Sequence, residues 1–203
     1  MTSKALELLR TSGNGFFMMV EGSQIDWCSH QNDIACAMNE MDDFAKSVEI
    51  VKKFVDESRE DTLLIVTSDH STGGLSIGAY EQKIWNTNVI KGTKISVEKL
   101  VEEMLLNVED ENDLTFIWNK FIDFSLTTEQ KSSVLQSLST KETKQTQLAI
   151  NNIINKESYT GWTTLNHTAD DIQVFSYGNG SDAFRGHQDN TDIADKIFNL
   201  LNQ

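Results

Sequence analysis

The chain has 203 residues, 31 acidic and 17 basic, and a formal net charge of −14 at pH 7. This length is sufficient for one α/β domain with a hydrophobic core. The charge argues against a nucleic-acid partner, because the sequence has no cluster of lysine and arginine to neutralise phosphates. No apolar run approaches the roughly 18 residues of a membrane span. The opening stretch, MTSKALELLRTSGNG, lacks the apolar core expected of a signal peptide.

The first part of the chain has the pattern of a strand–helix–strand unit. An amphipathic helix is expected over 2–11, followed by a strand over 15–20 whose consecutive apolar residues indicate burial on both faces. Apolar side chains at helical spacing over 33–58 predict a long helix. The segment DTLLIVTSDH, 61–70, then predicts a second buried strand that ends in polar residues. This order and burial pattern indicate a parallel βαβ unit.

The middle of the chain has the pattern of several consecutive helices. Ser96 suits the N-cap of a helix over SVEKLVEEMLLN, and the second threonine of LTTEQ, Thr128, suits the N-cap of the helix that follows it. Further helices are expected over 114–124 and over TKQTQLAINNII. Because a structureless loop of this length is uncommon in a compact domain, we interpret residues 81–160 as a helical insertion.

The strand pattern resumes at 171–178, and a helix over 189–201 closes the chain. We therefore expect an α/β fold with a partial, mostly parallel sheet, flanking helices and the helical insertion. In this division the α/β core comprises 1–80 and 161–203, and the insertion at 81–160 separates its two parts.

Two groups of polar residues follow the two predicted strands of the first part. Glu21, Asp26 and His30 follow the first strand, and Asp69 and His70 end the second. In open α/β sheets, ligands bind beside the carboxyl ends of the strands. Carboxylates and a histidine are unfavourable at the edge of a core unless something pairs with them. These residues are therefore the candidate functional site.

The residue types in this group suit a metal ion. The D-x-x-x-H spacing of Asp26 and His30 lets both side chains reach one ion if the segment forms a helical turn. Alone, this spacing is common by chance, and a strand-terminal TSDH can simply cap a following helix. Both pairs together, with a third histidine available, predict a site for Zn²⁺, with Mg²⁺ at carboxylate-rich positions.

The cysteines give little information about the cellular compartment. Cys28 and Cys36 are the two cysteines of the chain and lie eight positions apart. We do not expect a disulfide framework from this pair, so cysteine usage leaves the redox compartment open.

Four blocks of this sequence resemble successive blocks of the alkaline phosphatases. They are GFFMMVEGSQIDWCSH, TLLIVTSDHSTGGLSIG, GWTTLNHT with DIQVFSYG, and FRGHQDNTDIADKIF. The resemblance covers about 1–80 and 160–203, and the helices between them match only loosely. It implies an alkaline phosphatase-like α/β fold and a phosphomonoester hydrolase that uses zinc and magnesium.

The resemblance implies a role for most of the polar residues. Asp26, His30 and His167 resemble the ligands of the first zinc ion in this family. Asp69 and His70 resemble ligands of the second zinc ion.

Three other residues bear on the same site. Glu21 resembles the carboxylate that helps to hold magnesium. Trp27 follows the zinc aspartate at a position where some relatives carry a cation, and we place it at the substrate rim. His187 matches no ligand of the family, and we interpret it as a histidine before the last helix that lies either on the surface or in contact with the metal ligands.

The nucleophile of the family is missing from this sequence. Alkaline phosphatases attack phosphate with a serine in an Asp-Ser-Ala type motif, and this chain has no such motif. The arginine that clamps phosphate has no matching block either. The chain therefore resembles the C-terminal half of the enzyme, and we expect it to be inactive in isolation. Its expected partners are small phosphomonoesters and either a second copy or the missing N-terminal half.

Two other functions remain open at this point. A related metalloenzyme of the same superfamily, of phosphodiesterase or phosphoglycerate mutase type, also uses D-x-x-x-H, DH and a late histidine. A non-catalytic metal-binding fragment would explain the missing serine. The position of Glu21, five residues before Asp26, favours the alkaline phosphatase. The family resemblance implies a periplasmic or extracellular location.

Overall fold

A computed structural model of the chain describes residues 1–11, 13, 15–58 and 62–201. Its helices are α1 (Thr2–Arg10), α2 (Ser23–His30), α3 (Ile34–Glu57), α4 (Thr87–Lys91), α5 (Val97–Asn107), α6 (Glu111–Phe121), α7 (Thr128–Ser139), α8 (Thr143–Ser158) and α9 (Asn190–Leu201), with a 3-10 helix at Ser181–Phe184. Its strands are β1 (Leu63–Val66), β2 (Ser71–Thr72), β3 (Ser76–Ile77), β4 (Thr160–Gly161), β5 (His167–Thr168) and β6 (Phe175–Gly178). No helix within these described ranges is long and apolar enough to cross a membrane.

The chain divides into two compact units. Unit 1 comprises Met1–Gly22, Asp42–Ser71 and Ala169–Gln203, and unit 2 comprises Ser23–Met41 and Thr72–Thr168. Helices α4 to α8 all fall inside the predicted insertion at 81–160. The exact bounds of that insertion stay a prediction.

Unit 1 contains a two-stranded sheet whose strands are antiparallel, whereas a mostly parallel sheet was expected. Strand β1 pairs antiparallel with β6, with Leu63 opposite Gly178 and Val66 opposite Phe175. The mostly parallel sheet is therefore not seen among the described residues. An apolar run predicts a buried strand, but it does not give the direction or presence of a neighbouring strand, and β1 itself is half-buried at every position. Asp61, which begins the predicted strand, lies outside the described residues.

The segment 15–20 also departs from its prediction as a buried strand. It belongs to no strand of the described part of the chain, and its side chains alternate between exposed and half-buried. The inward row includes Phe16, whose ring centroid lies 6.2 Å from that of Phe54 on α3. The segment thus has the alternation of a strand but no ladder of hydrogen bonds.

Unit 2 is organised around a helical core. Helices α5 to α8 bury side chains such as Leu100, Met104, Trp118 and Ile150. The indole N–H of Trp118 donates to the carbonyl of Phe124 at 2.7 Å, so this large buried side chain leaves no polar group unpaired. The helical insertion therefore supplies most of the buried apolar surface of this unit.

Local caps explain where these helices begin. Ser96 accepts a hydrogen bond from the amide of Lys99, as its sequence position predicted. Asp110 starts α6 earlier than the expected 114, because its carboxylate accepts two amide hydrogen bonds from the first turn. Thr127, and not Thr128, caps α7. Thr127 forms a reciprocal capping box with Gln130, whereas a cap at Thr128 would pair with a lysine that cannot accept.

Candidate metal centre

Helix α2 places the first two candidate ligands on one face. Asp26 and His30 are four residues apart in a regular helix, so their side chains lie on the same face, one helical turn apart. Asp26 Oδ2 lies 3.5 Å from His30 Nε2, and both side chains are partly exposed. This is the helical turn that the D-x-x-x-H spacing required.

His167, near the C-terminal end of the sequence of unit 2, lies beside this pair. It begins β5, and its Nε2 lies 3.1 Å from His30 Nε2 and 3.9 Å from Asp26 Oδ1. The two imidazole rings are tilted by 41° with centroids 4.9 Å apart. Residues 137 positions apart in sequence therefore place two imidazole nitrogens and a carboxylate around one point.

A backbone contact determines which nitrogen of His30 is available. Its Nδ1 lies 2.6 Å from the carbonyl oxygen of Leu165, which can only accept a hydrogen bond. Nδ1 must therefore carry the proton, and in the neutral ring Nε2 presents its lone pair toward Asp26 and His167. A ligating histidine usually has this second hydrogen bond, which holds the ring and its tautomer in place.

A threonine holds the carboxylate of Asp26. The hydroxyl of Thr72 donates to Asp26 Oδ1, and Thr72 lies in β2, which pairs with the strand that carries His167. The hydrogen bond orients the carboxylate without adding a charge. Sequence analysis did not identify Thr72, although it lies only two positions after the predicted ligand His70.

We expect Thr72→Val to weaken zinc binding about tenfold, because valine keeps the β-branched shape but removes the donor that orients Asp26. Thr72→Ser should retain most of the affinity. Competition titration with a zinc-sensitive dye measures both variants. Equal affinities for the valine variant and the unmodified chain would show that the hydroxyl does not position the carboxylate.

The loop that follows His30 is held by side chains of α8. Asn151 and Asn155 donate their amide N–H groups to the carbonyls of Gln31 and Asn32, each at 2.9 Å. The indole N–H of Trp162 donates in turn to Asn155 Oδ1 at 3.1 Å. The helical insertion therefore holds the loop that ends the ligand-bearing helix.

A glycine turn positions the segment that leads to His167. Gly73 has a φ of +82°, and a Cβ there would lie 2.5 Å from the ring of Trp162. Its carbonyl accepts from the amides of Thr163 and Thr164, and its own amide donates to the carbonyl of Asn166. A residue with a side chain does not fit this position, because both the backbone conformation and the space require glycine.

The two cysteines form a disulfide bond, which corrects the expectation of no disulfide. Cys28 and Cys36 are bonded, with their Cα atoms 5.6 Å apart. The sequence separation alone does not show that the two side chains meet; they do so because α2 and α3 are joined by a tight turn. The bond closes the loop 28–36, which contains His30 and the start of α3.

We expect the double replacement Cys28→Ser and Cys36→Ser to lower the free energy of unfolding by about 2 kcal/mol, from the loop-closure entropy of a short loop. Urea denaturation of the oxidised chain, the reduced chain and the double variant tests this. The reduced chain should match the variant. If reduction leaves the unfolding midpoint unchanged, the bond makes no contribution.

The remaining predicted ligands belong to unit 1. Asp69 and His70 are adjacent, with Asp69 Oδ2 3.2 Å from His70 Nε2, and Glu21 is exposed. Their assignments to a second zinc ion and to magnesium stay predictions. Trp27 lies on α2 with 62% of its surface exposed, and His187 is an exposed residue of unit 1.

Comparison with known proteins identifies the relatives of this chain. The family model described as "Alkaline phosphatase" matches residues 1–203. "Alkaline phosphatase 3" of Bacillus subtilis (strain 168) is 42% identical over 202 residues, which cover 99% of this chain and 43% of that protein. "Alkaline phosphatase 4" of the same organism is 36% identical over 99% of this chain and 42% of its own length. The chain therefore spans less than half the length of these relatives.

Solved structures give the same result for the fold. The cold-active alkaline phosphatase from the psychrophile Shewanella sp. is similar with a TM-score of 0.91 and 39% identity, over 98% of this chain and 49% of that one. Thermus thermophilus alkaline phosphatase is similar with a TM-score of 0.71 at 21% identity, which supports the fold alone.

Proposed function

This chain belongs to the alkaline phosphatase family. We propose that it supplies metal ligands of a phosphomonoesterase. The observation that carries the proposal is the convergence of Asp26, His30 and His167. Two imidazole Nε2 atoms lie 3.1 Å apart with a carboxylate within 4 Å of each. Two imidazoles and one carboxylate with an open fourth position are a donor set typical of catalytic zinc.

In this proposal Asp26, His30 and His167 hold the first zinc ion. The donor set fits this ion because the Nε2 lone pair of His30 faces the other two donors, its tautomer being set by the carbonyl of Leu165. When bound, zinc supplies Lewis acidity and an activated water. The chain's own contribution is to orient the three donors: α2 sets the spacing of two, and Thr72 fixes the carboxylate.

Asp69 and His70 are proposed to contribute to a second zinc site, and Glu21 to a magnesium site. Two donors are fewer than the three or four that zinc normally takes from protein, so this site needs further ligands. Support for magnesium comes from a similar structure, a TAB5 alkaline phosphatase mutant with Mg bound in the M3 site, which has a TM-score of 0.59 and 26% identity to this chain.

The proposed substrates are small phosphate monoesters, and Trp27 is proposed to line the rim of their site. Because the sequence has no Asp-Ser-Ala motif, the nucleophile must come from the part of the enzyme that this chain does not span. A non-catalytic metal-binding fragment is the second candidate, and the same missing motif favours it. The full-length match to the alkaline phosphatase family model favours this family over the related phosphodiesterase and mutase types.

A periplasmic or extracellular location is proposed from the family. The bond between Cys28 and Cys36 supports it, because disulfides persist mainly in oxidising compartments. A second copy of the chain remains a further proposed partner.

A chimera tests the proposed function. In it, this chain replaces the matched 202 residues of Bacillus subtilis alkaline phosphatase 3. We expect zinc-dependent hydrolysis of an aryl phosphate by the chimera, lost in its His30→Ala variant and retained in its His187→Ala variant. The isolated chain should hydrolyse the same substrate no faster than zinc in buffer. A folded chimera that binds zinc without turnover would favour the non-catalytic fragment.

A further inference from the structure

Asn32 lies in the turn that follows helix α2 and has an uncommon backbone conformation. Its φ is +53°, in the left-handed region that asparagine tolerates better than most residues with a side chain. It follows His30 by two positions, and its amide donates to the carbonyl of Ser29 at 3.0 Å. This turn therefore ends α2 directly after the second ligand that the helix carries.

The side chain of Asn32 joins the two segments that determine the orientation of His30. Its amide nitrogen donates to the carbonyl oxygens of Ser29 and Thr164, each at 3.0 Å. Ser29 precedes His30 in the chain. Thr164 precedes Leu165, whose carbonyl lies 2.6 Å from His30 Nδ1. One side chain therefore holds the imidazole-bearing helix beside the carbonyl that sets the tautomer of the imidazole.

Asn155 of helix α8 holds Asn32 with both ends of its own amide. Its Nδ2 donates to the backbone carbonyl of Asn32 at 2.9 Å, and its Oδ1 accepts from the indole N–H of Trp162 at 3.1 Å. Asn155 is 3% exposed, so water does not readily replace a bond that is lost here. Because one partner is an acceptor and the other a donor, an amide is the side-chain group that this position requires.

The ring of Trp162 extends these contacts to the turn at Gly73. A Cβ at Gly73 would lie 2.5 Å from the ring, so the glycine backbone packs directly against the indole. Gly73 follows Thr72, whose hydroxyl donates to Asp26. The indole also packs against the helical core of unit 2. Trp162 therefore connects this core both to the turn after His30 and to the threonine that holds Asp26.

We propose that Trp162, Asn155 and Asn32 form a hydrogen-bonded relay that positions the ring of His30, so that the helical core of unit 2 determines the zinc affinity of the site. This inference rests on the proposed function. The three are positioning residues, because they act on His30 through the turn after α2 and through the segment that contains Leu165.

A purely structural role for the relay predicts a different result. Loss of a buried hydrogen bond would then lower the free energy of unfolding, and the chain that remained folded would bind zinc as before. In the relay, the two donors of Asn32 determine whether His30 Nδ1 meets the carbonyl of Leu165, and thus whether Nε2 offers its lone pair. Their loss changes the folded site itself.

The substitution Asn32→Gly tests the relay in the isolated chain. Glycine adopts a φ of +53° without strain, so the turn is kept while the side-chain donors are lost. We expect the zinc affinity, measured by isothermal titration with Zn²⁺, to fall at least about tenfold. Lys141→Gly is the matched control, because Lys141 has a φ of +59° in the turn between α7 and α8. It should change the affinity by less than about twofold.

The substitution Trp162→Phe tests the far end of the relay. It removes the indole N–H and keeps an aromatic ring beside Gly73, and it should lower the zinc affinity about fivefold, the value of one neutral hydrogen bond. Trp118→Phe is its control. It removes an indole N–H that donates to a carbonyl within the helical core, so it should lower the melting temperature and leave the zinc affinity unchanged. Equal losses of zinc affinity in the two variants would refute the relay.

A double variant tests whether the two ends act together. Because Trp162 acts on the site through Asn32, Trp162→Phe combined with Asn32→Gly should bind zinc about as tightly as Asn32→Gly alone. Fully additive losses would contradict the relay. Zinc binding that His167→Ala leaves unchanged would refute the proposed function, whereas binding that His167→Ala weakens and Asn32→Gly does not would refute the relay alone.

The ring nitrogens of His30 provide a measurement that needs no zinc. In NMR spectra of the ¹⁵N-labelled chain, at a pH where its imidazole is neutral, His30 should carry its proton on Nδ1 in the unmodified chain and in Lys141→Gly. Asn32→Gly should show a mixture of both tautomers, because the carbonyl of Leu165 is no longer held at Nδ1. An unchanged Nδ1–H tautomer in Asn32→Gly would overturn the proposal.

Discussion

Replacement of His167 by alanine is expected to weaken zinc binding to the isolated chain by about a hundredfold or more. The substitution removes one of three donors, and two remaining donors on one helix hold zinc poorly. His30→Ala should have an effect of the same size, since the two Nε2 atoms lie 3.1 Å apart and face the same point. Isothermal titration with Zn²⁺, under conditions in which the disulfide stays oxidised, measures both.

The control for this experiment is His187→Ala. His187 is exposed and belongs to unit 1, so its loss should change zinc affinity by less than about twofold. Circular dichroism of each variant checks that the helices are retained. If His167→Ala binds zinc as tightly as His187→Ala, zinc does not occupy the cluster of Asp26, His30 and His167, and the proposed function loses its main support.

Much of this cluster was predictable because its parts are local. The D-x-x-x-H spacing is meaningful only on a helix, and α2 provides that helix for Asp26 and His30. The position of His167 beside Asp26 and His30 was predictable only from the family resemblance, since His167 and His30 are 137 positions apart. The hydroxyl of Thr72 and the carbonyl of Leu165 were not predicted. Their roles depend on contacts between residues distant in sequence, which cannot be predicted from the residue types alone.

The fold shows the same division between local and non-local information. Helices with strong periodicity and capping residues, such as α3 and α5, lie close to their predicted positions. The strand predictions were less successful, because the pairing of a strand depends on neighbours distant in sequence. The apolar run at 15–20 was predicted as a buried strand, and it lacks a partner among the described residues. The predicted mostly parallel sheet is not seen in the described part of the chain, where β1 pairs with β6 in antiparallel register.

The second large effect is expected at Asp33, the residue that joins the site to the helical core. Asp33 is 0% exposed, and its two carboxylate oxygens accept hydrogen bonds from two helix N-termini. One bond is to the amide of Cys36 in α3 at 3.0 Å, and the other is to the amide of Val97 in α5 at 2.7 Å. We expect Asp33→Ala to lower the free energy of unfolding by about 3 kcal/mol, because it leaves both amides without a partner.

The pH dependence of the unfolding free energy distinguishes the effect of the Asp33 charge from the effect of its hydrogen bonds. Burial, the largest influence, raises the pKa of Asp33 above its usual 3.8 although three backbone hydrogen bonds lower it. The folded state therefore binds the proton more tightly than the unfolded state. The stability contributed by the protonated carboxyl is fully present below about pH 3.8 and is lost as the pH rises through the raised pKa.

Urea denaturation of the unmodified chain and of Asp33→Asn from pH 3.5 upward measures this dependence. Asparagine keeps the shape of the side chain and one acceptor oxygen, and it does not titrate. Ionisation of the other carboxylates affects both proteins equally, so their difference in unfolding free energy isolates Asp33. We expect the stability advantage of the unmodified chain to be largest at the lowest pH and to shrink as the pH rises. An advantage that grows with pH would mean that the two helix N-termini favour the ionised carboxylate more strongly than burial disfavours it.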